Sequence, residues 1–332
     1  MKKISILLVI IMLFSAATVV GCAQDAPAPE PADPPPEPAS GQEGLLIGFA
    51  QLGTTDRWRI AQTNSMITEA ENRGFNLIMT DAQDSTAKQV SDVEDLIAQG
   101  IDYLFLSPIE YEGLVPALEA ANRAGVPVIL IDRAARGEAG VDYVTMIVAD
   151  FIWEGEQAAH WLADALGETG RIVELTGTVG ASVAIDRANG FYQGLENYPN
   201  MEIISSQTAD FNRAEAQRVM ENIILSVGTD FDAVYTHADE MAFGAILAMK
   251  AAGIDVGRDG VLVVGIDGGI EAIESVIAGD LAATITCSPL FGPVAFDTLQ
   301  KIINGESVPP LIINPGTVID IRNAEAELPN SF

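Results

Sequence analysis

Val126-Pro127-Val128-Ile129-Leu130-Ile131-Asp132-Arg133 reads as a strand that delivers a charged pair to its carboxyl end, and the same unit recurs along the chain. The Gly125-Val126-Pro127 edge marks a helix stop, because glycine suits the residue after a helix and proline cannot continue one. Working back from this strand, residues 45–50, 76–80 and 103–106 read as further strands. Helices over 58–73 and 85–99 separate them, and in the latter Val90, Val93, Leu96 and Ile97 fall on one face. Working forward, strands are predicted near 144–148, 171–175, 201–205, 233–236, 262–266 and 281–286, with a helix beginning near Ile152. Such alternation builds parallel sheets covered by helices. About 290 residues exceed what one hydrophobic core usually serves. With no short-period repeat and two half-chains of the same βα grammar, the sequence predicts an α/β protein of two similar doubly wound lobes.

The first 43 residues obey another rule. Lys2 and Lys3 precede an almost wholly apolar run from Ile4 to Val20, and Val19-Val20-Gly21-Cys22 has the small-residue ending of a cleavable signal. This resembles a lipobox, in which the cysteine is acylated with diacylglycerol and becomes the mature N-terminus. Residues 1–21 are therefore expected to be a lipoprotein signal peptide, with Cys22 lipidated and the fold hanging outside the cell on a membrane. The apolar run is slightly short for a helix spanning about 30 Å of hydrocarbon. Residues 22–43 then read as a tether: Ala23 to Glu43 holds seven prolines, five acidic residues and no large apolar side chain. Such a segment cannot bury enough surface to offset its ordering entropy, and its prolines favour an extended form of about 3 Å per residue.

Charge limits the partners. With 47 acidic and 17 basic residues the formal charge is -30, which repels phosphate backbones and anionic membranes and argues against nucleic-acid binding. Cys287 is the one cysteine besides Cys22, so no intrachain disulfide is expected. His160 and His237 offer no metal spacing with each other or with cysteine. No metal and no cofactor is expected.

In open sheets of this kind, ligands bind beyond the carboxyl ends of the strands. Asp132 and Arg133 sit there, as do Asp210-Phe211, His237-Ala238-Asp239 and Asp267, with Asp56, Trp58 and Arg59 after the first strand. Arg187 follows Leu175 by a short loop. This mixture suits a sugar, whose hydroxyls both donate and accept, so that Asp and Arg can satisfy vicinal pairs. The C–H face of the ring is apolar and can lie on Trp58 or Phe211. Each item taken alone has a plainer explanation: a solvated ion pair worth under about 1 kcal/mol, or an aromatic of the core. Their coincidence at strand ends favours a shared cleft.

Other chemistries fit less well. Gly180-Ala181-Ser182-Val183-Ala184 approaches the hydrolase elbow but lacks its final glycine, although His237 and Asp239 can be imagined as partners of Ser182. The glycines at 177, 180, 265, 268 and 269 match neither a phosphate-binding loop with its lysine nor a dinucleotide fingerprint. No catalytic residue is expected.

Residues 173–191, VELTGTVGASVAIDRANGF, resemble the central segment of the ribose-type substrate-binding proteins of sugar ABC importers, in particular members that take galactofuranose. Trp58-Arg59, Leu130-Ile131-Asp132-Arg133, Ala209-Asp210-Phe211, Asp239-Glu240-Met241 and Gly265-Ile266-Asp267-Gly268 carry the likeness from Ile47 to beyond Asp297. The resemblance implies a type I periplasmic binding protein fold, two Rossmann-like lobes joined by a three-crossing hinge. The lobes would comprise residues 44–148 plus 288–316 and residues 149–287 plus 317–332. It implies that Asp56, Arg57, Trp58, Arg59, Asp132 and Arg133 touch a monosaccharide from the first lobe. Arg187, Phe211 and Asp267 would meet it from the second, with Ala238 where the family has asparagine. Arg57 and Cys287 also replace the residues expected by analogy. A hydroxyl that the asparagine would have served then needs water, His237, or absence from the ligand. The implied protein is a monomer that hands a galactofuranose-like sugar, or a related pentose or hexose, to the transmembrane subunits of an ABC permease. The same architecture can instead feed a membrane sensor. A cytosolic repressor shares the fold, but the export signal and the missing DNA-binding helix pair oppose that reading.

Overall fold

The computed structural model describes residues 44–332. The signal peptide, the Cys22 anchor and the tether lie outside the described residues. Two six-stranded sheets organise the rest. The first contains β1 (Leu46–Gln51), β2 (Asn76–Asp81), β3 (Tyr103–Leu106), β4 (Val128–Ile131), β5 (Thr145–Ala149) and β11 (Leu311–Asn314), in the order β11-β5-β4-β3-β1-β2. The second contains β6 (Thr169–Thr176), β7 (Asn200–Thr208), β8 (Ala233–Thr236), β9 (Leu262–Asp267), β10 (Ala283–Thr286) and β12 (Val318–Asp320), in the order β12-β10-β9-β8-β6-β7. Every pairing is parallel except β10 with β12.

Burial explains why the strands read as continuous apolar runs. In β4, Ile129 and Ile131 enter one hydrophobic cluster while Val128 and Leu130 enter another, so the strand is covered on both faces. The same division holds in β9, where Val264 and Ile266 pack on one side and Val263 on the other. Helices supply the covers: α1 (Arg57–Arg73), α2 (Thr86–Ala98), α3 (Val115–Ala124) and α9 (Gly292–Ile303) for the first sheet. For the second they are α4 (Phe151–Leu166), α5 (Ser182–Leu195), α6 (Arg213–Val227), α7 (Asp239–Ala251) and α8 (Ile270–Ala278). The two doubly wound lobes expected from sequence are present.

The chain passes between the sheets three times, from β5 to α4, from β10 to α9 and from β11 to β12. Hydrogen bonds tie the later crossings together: Thr286 N–H donates to the Thr317 carbonyl at 2.8 Å, and Thr317 N–H to Thr286 Oγ1 at 2.7 Å. Strands β11 and β12 are edge strands of four and three residues, too short to show a period in sequence.

Candidate functional site

The carboxyl ends of the two sheets face each other across a cavity of about 40 Å³. That volume admits about three waters, and Asp56, Arg59, Arg133, Phe211 and Glu240 also line a wider hollow beside it. The first lobe contributes Asp56, Trp58, Arg59, Asp132 and Arg133, and the second Arg187, Phe211, Ala238 and Asp267. Val183, Glu240 and Cys287, none of them singled out as ligand contacts from sequence, complete the wall. Arg57 does not line it.

In the first lobe the start of α1 is the organiser. Asp56 is its N-cap and accepts from Arg59 N–H at 2.8 Å, the ordinary way to satisfy an orphan amide of the first turn. Arg59 reaches back to Asp132 Oδ2 at 2.5 Å and donates to Gln62 Oε1 at 2.9 Å, with its guanidinium 4.5 Å above the Trp58 ring. Trp58 Nε1 donates to the Cys287 carbonyl at 2.6 Å, fastening α1 to the second crossing. Asp132 takes a left-handed φ of 68° just past β4. Arg133 donates to the Ile109 carbonyl at 3.1 Å and lies 5.2 Å over Phe211 of the other lobe. Burial, reinforced by the positive charge of Arg59, lowers the Arg133 guanidinium to about 9.

Arg57 departs from the sequence expectation. Its side chain is 72% exposed and pairs with Glu271 outside the cavity. Successive helical residues project about 100° apart, so Arg57, Trp58 and Arg59 cannot all face one hollow.

The second lobe is built around Arg187, which sits in the second turn of α5. Its Nε donates to Glu154 Oε2 at 2.8 Å, its Nη1 to the His237 carbonyl at 2.6 Å, and its Nη2 stands 3.9 Å from Asp267 Oδ1. Asp267 ends β9 with a φ of 136°, a conformation rare for a residue with a side chain. Asp239 holds the following turn: its carboxylate accepts from Gly268 N–H at 2.8 Å and from Thr284 Oγ1 at 2.8 Å. Phe211, also at positive φ, lies against Gly177, where a Cβ would fall 1.9 Å from the ring. Only glycine leaves room for that platform.

His237 is not available to a ligand hydroxyl, although sequence allowed it that role. It is fully buried, Nδ1 accepts from Gly177 N–H at 3.3 Å, and Nε2 faces Glu174 Oε1 at 3.3 Å. Nor does it meet Ser182, whose Oγ accepts from Ala134 N–H at 2.9 Å across the cleft. Among the described residues no cluster of three or more His, Cys, Asp or Glu is placed to hold a metal.

Two buried polar atoms of the cavity wall lack hydrogen-bond partners: Asp132 Oδ2 and Arg133 Nε. Arg59 approaches Asp132 Oδ2 as an ion pair but not at a hydrogen-bonding angle. Buried polar groups are nearly always paired, so donors and acceptors clustered here without partners point to a ligand rich in both. Arginine and carboxylate charges are nearly balanced in the wall, which suits a neutral molecule. Glu154 was missed from sequence; it lies on α4 one turn before Ala158 and two before Leu162, a charge on the buried face of the helix.

Burial also predicts a pH response. Desolvation raises Glu154 to about 7, and the same cause, opposed by the Thr284 hydrogen bond, raises Asp239 to about 7. A carboxyl raised on folding contributes stability below its unfolded value and loses it as pH climbs through the folded one. Asp320, despite some burial, is held down to about 2 by Arg322 and Trp161, and loses its contribution only in stronger acid. Thermal melts of the sugar-free protein should therefore peak near about pH 5 and decline toward pH 7. A maximum at or above neutrality would contradict this account.

Residues 47–307 match the periplasmic binding protein domain family. The chain is 39% identical to the galactofuranose-binding protein of Escherichia coli strain K12 over 86% of its length and 90% of that protein. It superposes with a TM-score of 0.82 on the periplasmic binding protein component of the arabinose ABC transporter from Shewanella sp. ANA-3, a structure bound to α- and β-L-arabinofuranose. Identity there is 38%, covering 86% of this chain and 95% of the other. The fructose-binding periplasmic domain of hybrid two-component system BT1754 matches with a TM-score of 0.80 at 30% identity, over 86% and 94% of the two chains.

Proposed function

This chain belongs to the periplasmic binding protein family, whose members here are binding proteins and not enzymes, and on that premise we propose that it captures one neutral monosaccharide between its lobes for delivery to an ABC permease. The observation that carries the reading is the pair of unpartnered buried atoms on Asp132 and Arg133 in a cavity walled by arginine, carboxylate and aromatic side chains from both lobes. Asp56, Arg59, Asp132, Arg133, Arg187 and Asp267 serve the hydroxyls. Trp58 and Phe211 lie against the ring, and Ala238 and Cys287 face positions that need no hydrogen bond. Arg57 is left out. The sugar is galactofuranose-like or a related pentose or hexose. Lipidation of Cys22 holds the monomer on the outer face of a membrane, and residues 22–43 give it reach.

Contacts from both lobes exist together only when the cleft is shut, so the ligand stabilises closure by its differential affinity for that state. The test is a thermal-shift panel of pentoses and hexoses that includes L-arabinose and D-galactose, both able to populate furanose rings. Selective binding to the native state raises the melting temperature by mass action. A shift with at least one furanose-forming sugar is expected, and a response confined to nucleosides, peptides or inositols would overturn the reading. A sensing role draws support from the likeness to a fructose-binding domain of a two-component system. Neighbouring genes for a permease and an ATPase favour uptake, and a receptor kinase gene favours sensing.

A further inference from the structure

Arg57, the predicted contact that the cavity leaves out, makes the one ion pair between the lobes among the described residues. Its Nη1 lies 3.0 Å from Glu271 Oε2 of α8. The remaining ion pairs each join residues of a single lobe. Glu271 is a prepared acceptor. Arg213 forks onto it at 3.0 Å through both Nη atoms and onto Glu240 at 2.7 and 3.0 Å, while its guanidinium rests 4.4 Å over Phe243. Glu240 in turn lines the cavity. Four charges thus run from the cavity wall to the mouth and end on the opposite lobe.

Elsewhere the lobes meet through neutral hydrogen bonds, Tyr111 N–H to the Gly180 carbonyl at 2.9 Å and Ala134 N–H to Ser182 Oγ, and through the buried Arg133 guanidinium over Phe211. Parting the lobes breaks all of these contacts, but only the Arg57 contact is electrostatic and open to solvent. We propose that Arg57 is a positioning residue that latches the closed lobes through Glu271 and slows release of the captured sugar without touching it. This rests on the reading that closure traps the ligand. Because the pair forms only on closure, its loss acts on the opening step and leaves the encounter with sugar unchanged. An exposed pair of this kind changes release by about two- to fivefold, and it is screened by salt.

Stopped-flow release of L-arabinose should be compared for the wild type, Arg57→Gln, Glu271→Gln and the double variant. Each single variant is expected to release sugar about two- to fivefold faster at low salt, with the differences shrinking near 1 M salt. The double variant should be no faster than either single. Wild-type rates in the single variants, or effects that multiply in the double, would overturn the latch. A second measurement needs no ligand: spin labels on Glu94→Cys and Leu225→Cys, exposed positions on the two lobes, report the closed fraction. Arg57→Gln should lower that fraction, and an unchanged distance distribution counts against the proposal. A protein that binds no sugar yet opens on Arg57→Gln keeps the latch and sinks the ligand reading instead.

Discussion

Arg187→Ala is expected to weaken sugar binding by at least about 2 kcal/mol, some thirtyfold. Folding stability should fall by about 3–5 kcal/mol, because a buried ion pair loses one partner. The guanidinium is the only charged donor to Glu154 among the described residues, and Cys287 offers the carboxylate no more than a weak thiol hydrogen bond. Its removal leaves Glu154, about 1% exposed, with only the weak Cys287 thiol as a partner, and strips the His237 carbonyl of its donor. Asp267, pushed well above the usual carboxylate range mainly by burial, loses the one cation that pulls it back down. Binding and stability can be separated by adding Glu154→Gln, which removes the stranded charge at nearly constant volume. The double variant should regain much of the melting temperature and none of the affinity. Calorimetry showing wild-type affinity in folded Arg187→Ala would take this residue out of the site. Asp267→Ala should lose affinity on a similar scale.

The contrast between Arg187 and Arg57 shows what the sequence could and could not tell. Strands in a doubly wound sheet are buried on both faces, so they appear as unbroken apolar runs, and any charge that follows must lie at a carboxyl end. That is why Asp132, Arg133 and Asp267 were legible without a structure. Helices hide direction: Arg57, Trp58 and Arg59 are neighbours in sequence, but 100° steps send Arg57 to the mouth while Trp58 and Arg59 turn to the cavity. Gly177 to Ala181 reads as a short turn, and α5 begins just past it at Ser182 with Arg187 in its second turn. Glu154 announced itself only as an acid on the apolar stripe of α4, a signal easily taken for a solvated face. The edge strands β11 and β12 are too short for periodicity, so their places rest on pairing with β5 and β10.

Ala238 and Cys287 narrow the ligand by what they fail to do. Ala238 precedes α7 with no side-chain cap, and Cys287 carries a buried thiol whose ionisation burial suppresses. Neither offers a strong partner to a hydroxyl. A sugar bound here must turn a C–H or a vacant position toward them, or leave a hydroxyl unpaired at a cost of about 1–3 kcal/mol. On the proposed reading, discrimination among sugars on this side falls to Arg187 and Asp267, which gives the geometry of α5 unusual weight.

Gly190→Ala should accordingly damage both folding and binding. Helices α4 and α5 pack backbone against backbone, and a Cβ on Gly190 would stand 2.0 Å from the Ile152 carbonyl oxygen. The reciprocal contact is as close: a Cβ on Gly155 would stand 2.2 Å from the Arg187 oxygen and 2.6 Å from the Phe191 nitrogen. No side chain is present to swing aside, so the helices must separate. Overpacking of this severity costs about 3 kcal/mol or more, a fall of roughly 6–12 °C in melting temperature for lobes of this size. Arg187 lies one turn before Gly190 on the same helix, so the separation also draws its guanidinium off Glu154 and the His237 carbonyl. Gly74→Ala is the control, since it ends α1 at a φ of 72° with nothing within 4 Å of a Cβ. It meets only backbone strain of about 1 kcal/mol and should bind sugar normally. If Gly190→Ala melted and bound like Gly74→Ala, α5 would not be held at backbone contact, and the placement of Arg187 would have to come from the ligand.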